Sequence, residues 1–388
     1  MTTAQTRLLA TLDNAAQVTP QGSPVWGQFV DVPARSRQFG IYGTCAALSV
    51  LARHDRDTRP TLRVLPQIEP ESATHPRFDA SDLLLTFKVT AIVEALGVSK
   101  LSDAKDQPIV RTLVDGLVDD QGWGDHLVSS EPEPPRVLAT SQALIALVPF
   151  CGGGPARRFD GPVAWLQGEL SNNSGLDTIE IAFGCLALAR MRDAGLGLDD
   201  TDSVIRQTTR SLAPWLRGRW STPLEYVQYH YYVPAPDDAR NHQVSFPLQI
   251  IVALALLTSG SWRPARHAVH GIAGDLFDTV ERNGGTRSTA SKRQPMVDIN
   301  WVDQLLEIYL RQQALRPVSW RLTGILRRMR WLSRLAVLAL LLAVTVVATV
   351  IAVDPGISAL TTAVVTTVVA ISSGIATSVI QVWLRFKD

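Results

Sequence analysis

From Leu335 to Val353 the chain carries no charged residue, and after the turn Asp354-Pro355-Gly356 it runs uncharged again from Ile357 to Leu384. A bilayer core needs about 20 apolar residues in helical form, so both runs are long enough to span it. Their place near the end of a 388-residue chain excludes a secretory signal. Backbone polar groups in lipid must be satisfied within the segment, so each run is expected as a helix and the pair as a hairpin. Arg327, Arg328, Arg330 and Arg334 precede the first run, and Arg385 and Lys387 follow the second. Positive charge on both flanks places both chain ends on the cytoplasmic side of the inner membrane. Trp320 to Arg334 is basic and amphipathic, as segments lying on an anionic membrane surface are. The second run is rich in small residues such as Ser372, Ser373, Gly374 and Ala376, which let helices approach closely. The expected partners are therefore the bilayer and further copies of the chain through the second span.

The remainder reads as one soluble body. The chain holds 37 basic and 36 acidic residues. Because the tail is basic, the body is mildly acidic, which is no footprint for nucleic acid, and no nucleic-acid partner is expected. Cys45, Cys151 and Cys185 include no CxxC pair, and Cys45 and Cys185 sit in apolar runs. Such thiols behave as small hydrophobes in a reducing compartment. The N-terminus lacks a continuous apolar core and instead places Leu8, Leu9 and Leu12 on one helical side.

The body is organised around residues 117–150. A helix over 107–118 leads to the turn Gln121-Gly122-Trp123-Gly124, a Pro-rich connector and an apolar helix over 137–150. The glycine-flanked Trp123 pins the reversal and is expected to be buried. Weaker copies follow the same alternation of polar-faced and apolar helices. Within 26–51, which opens with Trp26, a glycine-punctuated turn at Gly40 and Gly43 leads into a small-residue helix with Thr44 as its start, and further apolar helices are expected over 78–96, 176–191 (with Asp177 and Glu180 as a capping box), 242–257 and 297–310. Polar-faced ones are expected over 61–65, 162–170, 201–217 and 264–282. Helix pairs recurring at intervals of about 40–65 residues imply a solenoid or a ring closed by its own ends. The expected fold class is all-α, an (α/α)6 toroid with a C-terminal transmembrane hairpin. Its divisions are 1–24 as an extension, 25–315 as the toroid, 316–334 as a basic linker, 335–384 as the two spans and 385–388 as a cytoplasmic tail.

Asp120-Gln121-Gly122-Trp123-Gly124, followed by Ala139-Thr140 and Ala143-Leu144-Ile145-Ala146-Leu147, resembles the repeat of the prenyltransferase and squalene-oxidase/terpene-cyclase superfamily. That resemblance implies an α/α toroid with a central cavity. The Asp-x-Asp-Asp acid of the cyclases has no counterpart of the right spacing; Asp199-Asp200-Thr201-Asp202 comes nearest. The Asp, Cys and His zinc set of the protein prenyltransferases has none either, so no metal and no cofactor are expected.

The candidate cavity wall comprises Asp125 and His126, then Tyr229, His230, Tyr231, Tyr232 and His242 from an aromatic connector, and Asp298 and Asp303 from the last helix. Against each stands a plainer role as a helix cap or a loop residue packed on the ring. Catalytic residues are not assigned. The expected function is a cytoplasmic toroid that binds or senses a small-molecule or protein ligand and is coupled to a membrane module, as an effector of a bacterial defence or conflict system. The alternative is a membrane-associated terpene-cyclase-like or prenyltransferase-like enzyme acting on an isoprenoid.

Overall fold

The structure is a computed structural model that describes residues 3–19, 22–27, 40–65, 85–99, 107–127, 133–151, 159–172, 175–219, 225–233, 240–283, 286–288, 296–298 and 301–305. The chain divides into two compact units, Met1–Arg316 and Pro317–Asp388. The two candidate spans and the basic lead-in fall outside the described residues, and no helix among those described is long and apolar enough to cross a membrane.

The first unit is a largely helical globular domain. Helix α1 (Thr3–Ala15) is followed by the short strands β1 (Gln17–Val18) and β2 (Pro24–Val25), then α2 (Ile41–Arg53), α3 (Arg59–Val64), α4 (Thr86–Ser99) and α5 (Pro108–Asp115). Next come α6 (Val137–Leu147), α7 (Asp160–Asn172), α8 (Thr178–Asp193) and α9 (Thr201–Arg217). The hairpin β3 (Tyr226–Val233) and β4 (Arg240–Pro247) leads into α10 (Leu248–Thr258) and α11 (Arg266–Asn283). The short strands β5 (Thr286–Ser288) and β6 (Met296–Asp298) follow, and a helical turn begins at Val302.

The even-numbered helices form a buried layer in which α2 packs on α4, α4 on α6, α6 on α8 and α8 on α10. Every residue of α6 is buried, as is all of α10 except its last, so these helices are apolar all round, as a helix enclosed on every side must be. The odd-numbered helices flank them: α5 and α9 bury one stripe and leave the other face polar. Helix α1 lies along α11. Edge-to-face rings link α2, α4 and α8 with β4 and the last turn, from Phe87 to Tyr42 at 6.2 Å, Tyr42 to Phe246 at 6.4 Å, Phe246 to Phe183 at 5.3 Å and Phe183 to Trp301 at 5.5 Å.

Two turns in this layer are built alike. Trp123 is fully buried and donates its indole N–H to the carbonyl of Leu113 on α5 at 2.6 Å. Its backbone N–H donates to the Thr140 hydroxyl at 3.0 Å, and that hydroxyl lies 3.3 Å from the Trp123 carbonyl. Trp26 donates its indole N–H to Leu12 on α1 at 2.9 Å and its backbone N–H to the Thr44 hydroxyl at 3.1 Å, with 3.2 Å from that hydroxyl to the Trp26 carbonyl. Gly122 permits the closer version: a Cβ there would strike the Thr140 hydroxyl and Pro135.

Several expectations need correcting. Thr44 does not start α2: Gly40 holds the N-cap position, and the Thr44 hydroxyl is spent on Trp26. The aromatic connector is an antiparallel hairpin with Tyr231 opposite His242 and Tyr229 opposite Val244. Its tyrosines and valines are the residue types that favour a pleated strand. Strand pairing runs through to Pro247, so the fifth apolar helix starts at Leu248 rather than at 242. The sixth does not start at 297, because Met296–Asp298 pairs with Thr286–Ser288 and Trp301 has a left-handed backbone, φ 62°. The capping box at α8 forms as expected, with Asp177 accepting from Ile179 and Glu180 at 3.0 Å. Residues 78–84, the first part of the helix expected over 78–96, lie outside the described residues.

Candidate functional site

Two polar clusters interrupt the apolar layer. The first gathers at the turn after Trp123. Gly124 and Asp125 are tied to the start of α4, where the Thr86 backbone N–H donates to the Asp125 carbonyl at 2.8 Å and its hydroxyl to the Gly124 carbonyl at 2.5 Å. This sets Asp125 and His126 beside Glu133, Arg136 at the N-cap position of α6, and Tyr229 on β3. The His126 Nδ1 lies 2.5 Å from a Glu133 oxygen, and its backbone N–H donates to the other at 3.2 Å. Asp125 faces Arg136 at 3.4 Å. The residues Asp125 and His126 are each 8% exposed, and one Asp125 oxygen and the His126 Nε2 are buried without a hydrogen-bond partner among the described residues.

The electrostatics follow from that burial. Loss of solvent is the largest influence on the Asp125 carboxyl and raises it above its ordinary value; Arg136 pulls it back and Glu133 pushes it further up. Burial also raises the Tyr229 phenol and the Glu180 carboxyl. On Arg136 burial works against the charge, but Asp125, Tyr229 and Glu133 outweigh it and leave the guanidinium raised.

The second cluster lies among α2, α4, α8 and residues 301–305. Asp303 is 3% exposed and meets His54 at 3.0 Å and Arg53 at 3.6 Å, both at the end of α2. Gln304 donates to Glu94 on α4 at 3.2 Å and accepts from Arg190 on α8. Arg190 and Glu94 lie 3.5 Å apart. Burial holds the Arg190 guanidinium below its usual value; Glu94 opposes this and Arg53 adds to it. The cluster borders a cavity of about 60 Å³ lined by Tyr42, Cys45, Ser49, Arg53, Glu94 and Trp301 among others. That space suits a few waters and falls well below the roughly 300–1,000 Å³ of pockets that take drug-sized ligands.

Of the residues expected to line a cavity, Asp125, His126 and Tyr229 meet in the first cluster, while Asp303 belongs to the second. The backbones of His230, Tyr231, Tyr232 and His242 lie in the hairpin and that of Asp298 ends β6, but their side chains fall outside the described residues. Arg53, His54, Glu94, Arg190 and Gln304 are site residues that pattern reading missed. A signal existed for one of them: Glu94 is a single charge inside an otherwise apolar run, and a charge there demands a partner. The three cysteines are free, and burial raises their thiols, Cys185 to about 12 and Cys151 to about 11. No group of three residues able to hold a metal ion occurs among the described residues.

No family model, no curated protein and no solved structure matches the chain.

Proposed function

We propose that the chain is a membrane-tethered sensor, in which a helical-repeat ring binds a ligand and passes its occupancy to a C-terminal transmembrane hairpin. An (α/α)6 toroid is the ring form that best accommodates the even-helix layer, the paired tryptophan turns, the contact of α1 with α11 and the Tyr42–Phe246 ring pair. The hairpin rests on the uncharged runs 335–353 and 357–384 and on their arginine flanks.

One observation carries the sensing reading. Residues 301–305, which shortly precede the basic lead-in along the chain, fill the space beside the cavity through Trp301, Asp303 and Gln304. Whatever enters that cavity competes with a stretch of chain that continues toward the membrane runs. The hairpin has its test in topology and assembly. Reporters fused at Met1 and after Asp388 are both expected in the cytoplasm. Gly374→Leu, which forces lipid-embedded helices apart, is expected to abolish growth arrest or dye leakage on overexpression while the helical unit stays folded. A periplasmic reporter at either end, or an undiminished membrane defect in Gly374→Leu, would sink the reading.

A second reading, a terpene-cyclase-like enzyme, has one observation in its favour. Asp125 is a buried carboxyl, raised by that burial and with one oxygen unpartnered among the described residues, which is the environment a proton donor needs. Consumption of an isoprenoid substrate by the parent and not by Asp125→Asn would establish it.

A further inference from the structure

The flanking helix α9 carries a basic row that the rest of the domain leaves uncompensated. Its buried stripe, with Ile205, Thr208, Leu212 and Leu216, seats it on the core. On its exposed side stand Arg206, Arg210 and Arg217. At about 3.6 residues per turn the three fall within roughly 40° of one another and span about 16 Å of the axis. The chain has no acid from Ser203 to Leu224. Near the two ends of the helix, Arg192 meets Asp193 and Asp202, and Arg219 meets Glu225. Arg206, Arg210 and Arg217 have no ion-pair partner among the described residues. Like charges four residues apart, as at Arg206 and Arg210, destabilise a helix where an acid in one place would stabilise it.

We infer that this row is a docking face for an anionic membrane surface, with lipid phosphates as its counter-charges. This role deepens the membrane-tethered reading above and rests on it. Guanidinium forks match phosphate oxygens, and a straight exposed row meets a plane of headgroups without needing a pocket. The uncharged runs 335–353 and 357–384, with their arginine flanks, would keep the domain beside the leaflet. Three arginines then suffice, because a tether makes the encounter intramolecular. A long soluble polyanion has no such help: a mildly acidic body does not draw it in from a distance.

The test uses the full chain in nanodiscs of phosphatidylcholine with or without phosphatidylglycerol. A fluorophore on Ser203→Cys, at an exposed position of α9, transfers energy to an acceptor on trace headgroups and so reads how close the helix lies to the bilayer. Cys151→Ser removes the one native thiol that is not buried. Phosphatidylglycerol is expected to raise the transfer. Salt is expected to reverse it as the screening length falls from about 8 Å at physiological ionic strength to about 3 Å at roughly 1 M. Arg206→Gln, Arg210→Gln and Arg217→Gln together should lower the ratio of docked to undocked molecules by about a hundredfold, from the usual gain per arginine at an anionic leaflet. Arg7→Gln, Arg63→Gln and Arg111→Gln, at exposed positions of three other helices, remove the same charge and should leave docking in place. Transfer that ignores phosphatidylglycerol, survives loss of the α9 arginines or falls as far in the second triple variant overturns the proposal. Should the α9 variant misfold, the salt response of the parent decides, and transfer that salt does not move overturns it. A duplex oligonucleotide that the parent retains in neutral nanodiscs, and loses with the α9 arginines, assigns the row to nucleic acid and likewise overturns it. Flotation with neutral vesicles separates the two readings. A chain that does not float with them has no tether, and the row then stands or falls on flotation with anionic vesicles, parent against α9 variant.

Discussion

Trp26 and Trp123 sit in turns of the same construction. Each indole hydrogen-bonds a carbonyl of the preceding outer helix, and each backbone is held by a threonine on the buried helix that follows. Both threonines stand at the fourth position of that helix, Thr44 in Ile41–Arg53 and Thr140 in Val137–Leu147. Their surroundings differ. Residues 22–27 carry no ionisable side chain, whereas the turn after Trp123 continues into Asp125 and His126 against Glu133 and Arg136. One device thus serves two ends: it fixes how an outer helix meets an inner one, and at its second occurrence it also holds charged groups out of water. The threonine and the indole are structural, and only what is attached to them is open to specialisation.

The comparison predicts that both indoles are indispensable. Trp123 is 0% exposed and Trp26 3%, so truncating either to alanine should cost about 3–5 kcal/mol in equilibrium unfolding. Phenylalanine should recover most of the packing and still leave the Leu113 or Leu12 carbonyl short of a donor, at about 1–3 kcal/mol. If Trp26→Ala unfolds like the parent while Trp123→Ala does not, the two turns are alike in geometry only.

These turns also show what the sequence makes legible. Gly122-Trp123-Gly124 announces a tight reversal, and Thr140 in an apolar run announces a buried hydroxyl that needs a partner. Trp26 is not announced: only Gly27 flanks it, and although Thr44 follows at 18 residues, much as Thr140 follows Trp123 at 17, no Gly-Trp-Gly turn marks the reversal. Helix α9 and the Asp177–Glu180 capping box are readable because amphipathic period and cap chemistry are local. The hairpin at 226–247 is partly legible: Val227, Tyr229 and Tyr231 alternate with Gln228 and His230 at the period of a strand, whereas its partner Arg240–Pro247 has only Val244 and Phe246 as apolar residues ahead of the proline. The second cluster is harder still. Its partners lie far apart in sequence, Arg53 with Asp303 and Glu94 with Gln304, and nothing local specifies which buried charge meets which.

The threonines sharpen the comparison at a smaller scale. Each hydroxyl accepts from a tryptophan N–H in a buried setting, so Thr44→Val and Thr140→Val should each cost about 1–2 kcal/mol. The two sites share no hydrogen-bond partner, and the double variant should show the sum of the two losses. A double variant markedly less stable than that sum would mean that the turns support one another through the layer between them.

The smallest expected effect is the one that separates the two turns. Burial raises the Asp125 carboxyl in the folded chain above its ordinary value of 3.8, whereas unfolding returns it to solvent. Folding therefore favours the proton, and the stability linked to this group is full below the ordinary value and is lost as pH rises through the raised one. Acidification from neutrality should stabilise the Trp123 turn through Asp125, opposite in sign to the loss expected from carboxylates whose values are depressed by ion pairs. Asp125→Asn removes the titration, and Arg136 is exposed enough that losing its partner there matters little. The stability of the variant relative to the parent should then be greatest near neutral pH and decline as the pH approaches 4, where the parent has taken up its proton. Chemical denaturation of both chains across that range is the measurement. A difference that stays flat, or that grows toward acid, would mean that Asp125 is as well solvated as a surface carboxylate. The chemical distinction between the turns at Trp26 and Trp123 would then disappear.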